Sequence, residues 1–148
     1  MSIFENSTLG VSAVSAESSV GKAVSTRSNI FEMTQLAESA VLRPMEYGMF
    51  PHDVRAALAY RIAISAGETR LAEYYAALAG DKFNLSDYIM IEGEPESTLI
   101  PFVDKAANDT KNIVAEDISK NTKNEDIIIN CIKIEFIAIN SSPRRELK

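Results

Sequence analysis

A single cysteine, Cys131, and a single histidine, His52, stand in a chain of 148 residues. One sulfur cannot build an intramolecular disulfide framework, and such scarcity fits a reducing compartment. Basic residues are also short: 15 Lys and Arg against 21 Asp and Glu leave a net charge of −6. Nucleic-acid surfaces need clustered Lys and Arg, so that class of partner is not expected. Long apolar runs are missing too. A membrane helix needs about 20 mostly apolar residues in a row. The nearest stretch, 127–139, is interrupted by Asn130, Lys133 and Glu135. The opening MSIFENSTLG lacks the basic and apolar regions of a signal peptide. Together these absences lead us to expect a cytoplasmic protein that does not meet a membrane. No cofactor and no metal are expected.

The rest of the composition is that of a globular protein, with 46% hydrophobic and 24% charged residues. A chain of this length is expected to form one domain with a real core. Its centre is the stretch 51–80, PHDVRAALAYRIAISAGETRLAEYYAALAG, which reads as two helices broken at Gly67. Val54, Leu58 and Ile62 recur along the first, with Ala57 beside them; Ala56, Ala59, Tyr60 and Ala63 lie opposite. A helix apolar on nearly all sides belongs in a core, and its alanines allow neighbouring axes to approach. In the second helix Leu71, Tyr74, Tyr75 and Leu78 form an i, i+3, i+4, i+7 stripe. Gly67 and Gly80 suit helix ends, since glycine adopts positive φ without a Cβ clash.

Around this centre the chain divides in two. Residues 1–27 are rich in serine and carry no sustained period. They are expected either as a mobile arm or as an arm that wraps a partner subunit through Val11, Val14, Val20 and Val24. Residues 28–148 are expected to form a single helical domain. Ser28 suits the N-cap of a helix reaching Arg43, with Met33, Leu36, Ala37, Ala40 and Val41 as its buried stripe. Pro44 stops it; 45–50 is a connection bending at Gly48, and Pro51 takes a first helical position. Residues 81–95 give mixed signals, a partly buried loop or one short helix. Leu99, Phe102, Val103 and Ala106 mark the next helix, in which Pro101 is tolerable within the first turn. Residues 108–121 read as a further helix with Val114 and Ile118 inward. For 125–140 the isoleucines favour a strand, while Ile128, Ile132, Phe136 and Ile139 share one helical face. A lone strand would leave its backbone groups unpartnered, so helix is chosen. The expected fold is all-α, about six helices in a bundle.

From Gly48 to Leu78 the sequence resembles the carboxymuconolactone decarboxylase family, which includes the alkylhydroperoxidase D-like proteins. The likeness rests on a turn, a Pro-started Ala-rich helix with an early arginine (Arg55), a glycine break, and a helix ending Tyr-Ala-Ala-Leu. The part from Phe102 through FIAINSSPRR is similar to the helix pair that follows in a subgroup of that family, and the likeness spans roughly two thirds of the chain. It implies an alkylhydroperoxidase D-like helical domain that assembles into homo-oligomers. The redox branch of the family carries CxxC with a histidine four residues on, chemistry that needs two sulfurs within bonding reach. With Tyr75 at the histidine position, Glu68 and Leu71 stand where the cysteines would be. Thiol peroxidase activity by that mechanism therefore does not transfer. The non-redox branch opens or decarboxylates small lactone acids, which takes a general acid or base and a cation for the carboxylate.

Four residues are candidates for such work, each beside a plainer role. Arg61 interrupts an apolar helix: it snorkels to solvent, pairs with an acid such as Glu73, or faces a ligand pocket. Tyr75, with Tyr74, lies on the apolar stripe, so core or interface packing stands beside a hydroxyl turned into a pocket. Glu68 follows Gly67 at a helix start, where the dipole favours a carboxylate. His52 also sits at a helix start, which disfavours added positive charge; it is a neutral base or simply exposed. Cys131 reads as a small buried hydrophobe. Two functions remain in view: an oligomeric binding or accessory protein with a small-molecule ligand, and a cofactor-free lyase or hydrolase acting on a small carboxylated ring. A plain interaction module, with Tyr74 and Leu78 at a subunit contact, is the third reading.

Overall fold

The computed structural model describes residues 2–5, 7–48, 51–80, 96–119 and 133–134, with 96–99 described as helix only. Within them the fold is all-helical, with six α-helices, two short 3-10 turns and no strand. The helices are α1 (Ser19–Ser25), α2 (Ser28–Leu42), α3 (His52–Ser65), α4 (Thr69–Ala79), α5 (Glu96–Asn108) and α6 (Ala115–Ser119). No helix among the described residues is long and apolar enough to cross a membrane.

The centre lies in α3. Val54, Ala56, Ala57, Leu58, Ala59, Ile62 and Ala63 are all buried, so this helix is covered on nearly every side. Its alanines let α4 lie along it, with Leu71, Ala72, Tyr75 and Ala79 inward. The turn between them is a full Schellman closure. Gly67 sits at φ 75°, its N–H donates to the Ile64 carbonyl at 3.0 Å, and the Glu68 N–H donates to the Ala63 carbonyl at 2.9 Å. That closure satisfies carbonyls which a helix end would otherwise leave open, and it needs a residue without a Cβ at the positive-φ position.

Helix α5 joins the core through Phe102 and Val103. Pro101 lies past the first turn, inside the helix, and not within the first turn as expected; the helix does without the rung its missing N–H would supply. Beyond α5 the expected helix over 108–121 is replaced by a 3-10 turn, Thr110–Asn112, and the short α6. Val114 and Ile118 are exposed, not inward. The cause is Asp117, which accepts from the Val114 N–H at 2.9 Å, as in a capping box, and pairs with Lys105 Nζ at 2.6 Å. Turning Asp117 toward α5 turns its apolar neighbours out.

The face of α2 differs from expectation as well. Its inward residues are Phe31, Gln35, Glu38 and Leu42, spaced at helical intervals, with Val41 beside them and with Glu38 and Leu42 buried. Of the expected stripe only Val41 packs against the core; Met33 and Leu36 are 68% and 69% exposed, Ala37 and Ala40 are exposed too, and Ile30 is exposed beside them. Helix α2 therefore buries a mixed face and shows an apolar one. The physical reason is the set of partners waiting for Glu38, described below. The C-terminal end of α2 is held by Arg55 of α3, itself only 3% exposed. Its Nη1 donates to the Val41 carbonyl at 2.9 Å and its Nη2 to the Tyr47 carbonyl at 3.1 Å. A guanidinium fits here because the last carbonyls of a helix are unbonded and carry the negative end of the dipole.

Within the expected arm, Ile3–Glu5 form a 3-10 turn and α1 follows, capped by Ser18, whose Oγ accepts from the Gly21 N–H at 2.9 Å. Ser7 and Leu9 are buried. In α1 a Cβ on Gly21 would stand 2.0 Å from the Ser15 carbonyl oxygen, so only glycine fits there. The loop or helix expected over 81–95, Cys131 and most of 125–140 lie outside the described residues. Of that last stretch, Lys133 and Ile134 are helical, and Ile134 is fully buried in the core.

Candidate functional site

A recess lies between α2 and α4. It has a volume of about 330 Å³ and is lined by Gln35, Glu38, Ser39, Leu42, Arg43, Tyr74 and Leu78. Its existence follows from the α2 face just described. Positions 35, 38, 39 and 42 share one side of α2, and positions 74 and 78 are one turn apart on α4. Leu42 and Leu78 give it apolar walls, and polar groups gather around Glu38.

Glu38 is 2% exposed, a carboxylate taken almost entirely from water. Such a charge is tolerated only with close partners. The Ser7 hydroxyl donates to its Oε2, and the Tyr74 hydroxyl donates to its Oε1 at 3.0 Å. The Tyr74 ring stands edge-on to Tyr75, centroids 5.4 Å apart. Burial, and then the negative charge and hydrogen bond of Glu38, push the Tyr74 hydroxyl up to about 12; Arg43 and a hydrogen bond from Gln35 pull the other way. Tyr74 therefore remains a proton donor across the ordinary pH range. Gln35 is left with its own Oε1 buried and without a hydrogen-bond partner among the described residues. An acceptor in that state costs about 1–3 kcal/mol. At the mouth, Arg43 is exposed and has no ion-pair partner among the described residues.

The residues singled out from sequence lie elsewhere. Arg61 takes the pairing option, but with Asp104 of α5 and not with Glu73: Nε to Oδ1 is 2.7 Å and Nη2 to Oδ2 is 2.8 Å. Both arms of its fork are thus occupied by one carboxylate. Tyr75 is 0% exposed, packed in the core among α3 and α4 residues. Glu68 is buried at the start of α4, where its side chain makes no cap hydrogen bond. His52 is exposed at the start of α3, its ring edge-on to Tyr47. Its Nε2 lies 2.8 Å from the Pro44 carbonyl oxygen, which can only accept, so Nε2 carries the proton. None of these four lines the α2–α4 recess.

Sequence reading missed Gln35, Glu38, Arg43 and Ser7. The available signal was the second periodic face of α2, Phe31-Gln35-Glu38-Leu42, which runs beside the more apolar one. Chemically the recess offers apolar walls, the hydroxyl of the exposed Ser39 and a cation at the rim. Among the described residues no group of three or more His, Cys, Asp or Glu is placed to hold a metal ion. No protein-family model, curated protein or solved structure matches the chain.

Proposed function

We propose that this chain is a helical binding or accessory protein that takes a small molecule in the α2–α4 recess and works as a homo-oligomer. The observation that carries the reading is the recess itself: about 330 Å³, within the usual range of ligand pockets, with apolar walls and a few convergent polar groups. Support for the oligomer comes from the outer face of α2, where Ile30, Met33 and Leu36 are exposed together. The likeness of residues 48–78 to the carboxymuconolactone decarboxylase family belongs to this proposal. It is supported by the sequence pattern and by the Ala-rich α3–α4 pair hinged at Gly67. Thiol peroxidase chemistry of the CxxC kind is left out of the proposal, because the chain has one cysteine. The lyase or hydrolase reading asked for a pocket beside Arg61 and Tyr75. It is not favoured, with Arg61 engaged by Asp104 and Tyr75 packed in the core.

The test is a ligand-observed NMR screen of small acids, alcohols and amines against the full chain and against Ser39→Trp, which fills the recess. Hits should be lost in the variant while its circular dichroism is unchanged. Hits that survive Ser39→Trp would place binding elsewhere and end this reading. Sedimentation velocity should show an assembly larger than one chain, weakened by Met33→Glu with Leu36→Glu. A monomer at all attainable concentrations removes the oligomer. Peroxide consumption should be absent, or at least indifferent to Cys131→Ser.

A further inference from the structure

Helix α2 turns its least polar face outward. Ile30, Met33, Ala37 and Ala40 stand at i, i+3, i+7 and i+10, with Leu36 beside them, and all five are exposed. That spacing makes a seam along which one helix can lie against another. The two halves of the seam differ in size. Ile30, Met33 and Leu36 fill its first half, and Ala37 and Ala40 its second. The charges beside it are also unevenly placed. Glu32 and Arg43 lie along one flank, in line with Ser39 at i, i+7 and i+11, and Ser39 and Arg43 of this line reach the recess. Both charged residues are exposed, and neither pairs with another charge among the described residues. About 16 Å of helix separates them, too far for them to pair with each other. The other flank holds Thr34, whose hydroxyl donates to the Ile30 carbonyl at 2.9 Å, and no charged residue within the helix.

Resting on the reading of the chain as a homo-oligomer, we propose what the assembly is: a two-fold dimer in which the outer faces of two α2 helices pack antiparallel. A two-fold interface sets one surface against its own copy, so that surface must complement itself. Antiparallel packing achieves this in two ways. With Met33 across from the partner's Ala40, and Leu36 across from the partner's Ala37, the bulky half of each helix covers the small half of the other. The same packing brings like flanks together, running in opposite directions. In that register Glu32 lies opposite the partner's Val41, about 3 Å of rise from the partner's Arg43, and two long side chains span that offset. Symmetry repeats the ion pair at the other end. Parallel packing fails on both counts: bulk meets bulk, and the charged flank of each helix meets the Thr34 flank of the other. Flanking charges of this kind fix orientation more than they add affinity. One helix face is small beside the roughly 800 Å² per partner of a standard interface, so the association is a weak one.

Sedimentation velocity over a concentration series gives the dissociation constant of the full chain, of Glu32→Arg, of Arg43→Glu and of the double variant, each checked for native circular dichroism. A single reversal turns two attractions into two repulsions and should weaken the dimer about tenfold. The double variant restores both pairs at the native net charge and should return to the native value. Cross-linking reads the orientation independently. Met33→Cys and Ala40→Cys, each in a Cys131→Ser background, should give a disulfide-linked dimer when mixed and oxidised, and little when oxidised alone. Self-linking of each variant with no gain on mixing means parallel helices and overturns the proposal. Single reversals that leave the dissociation constant unchanged, or that weaken the dimer with no recovery in the double variant, overturn it too; the oligomer itself then stands. A dimer that survives Met33→Glu with Leu36→Glu uses another face, which again overturns this arrangement alone. A chain that stays monomeric removes the oligomer and this arrangement with it.

Discussion

Removing the Tyr74 hydroxyl tests the polar centre of the recess most directly. In Tyr74→Phe the ring stays and the buried Glu38 carboxylate loses one of its donors. Hydrogen bonds to charged groups contribute about 1.5–3 kcal/mol. Tyr74 is half-buried, so part of that is recovered by water, and a loss of about 1–2 kcal/mol of unfolding free energy is expected. Urea denaturation of four proteins measures it: the native chain, Tyr74→Phe, Glu38→Gln and the double variant. The expected coupling energy is about 1 kcal/mol or more. A coupling within about 0.3 kcal/mol of zero would refute the claim that these side chains share one bond. The same contact sets an alkaline limit. In the unfolded chain the hydroxyl ionises at its ordinary 10.0, and in the fold at about 12. Between those values the unfolded state gives up its proton first. The stabilisation is therefore complete below pH 10 and is lost as pH rises through 12. Spectrophotometric titration should show a late-ionising tyrosine that is missing in Tyr74→Phe. Equal titration curves for the two proteins would sink the assignment.

Further outcomes follow from the scaffold. Arg55→Met leaves the Val41 and Tyr47 carbonyls without their donors and should cost about 2–4 kcal/mol; Arg55→Lys should recover less than half, since one ammonium cannot reproduce a fork. Gly67→Ala should cost about 1 kcal/mol in thermal unfolding, and Gly67→Asn less, because asparagine tolerates positive φ. Gly21→Ala puts a methyl against the Ser15 carbonyl, so proteolysis between 13 and 27 should speed up while the core unfolds at an unchanged temperature. Asp104→Asn breaks the Arg61 fork at a partly exposed site and should cost under about 1 kcal/mol, with most of the difference gone in high salt.

The α3–α4 pair was legible because its information is local. Alanines close to one another, a glycine at the break and an apolar stripe on the second helix specify it without reference to the rest of the chain. Helix α2 was legible as a helix but not in its orientation. Two faces satisfied the same period, and the more apolar one was chosen. What decides between them is remote: Glu38 finds Ser7 thirty-one residues before it and Tyr74 thirty-six after it. Arg61 shows the same gap, its partner Asp104 lying forty-three residues away. Hydrophobic period reports how much a face would gain by burial. It does not report which buried charge has donors waiting, and here the donors won.

One buried cation has a mechanical consequence for the recess. Arg55 ties the Val41 carbonyl to α3, and Ser39, Leu42 and Arg43 lie within a turn of that anchor. Toward its middle the same wall is moored at Glu38 through Ser7. The α4 wall is seated in the core along α3, whereas the α2 wall hangs on a few remote tethers. Cutting the Arg55 tether should therefore loosen the seat itself as well as cost the fold stability.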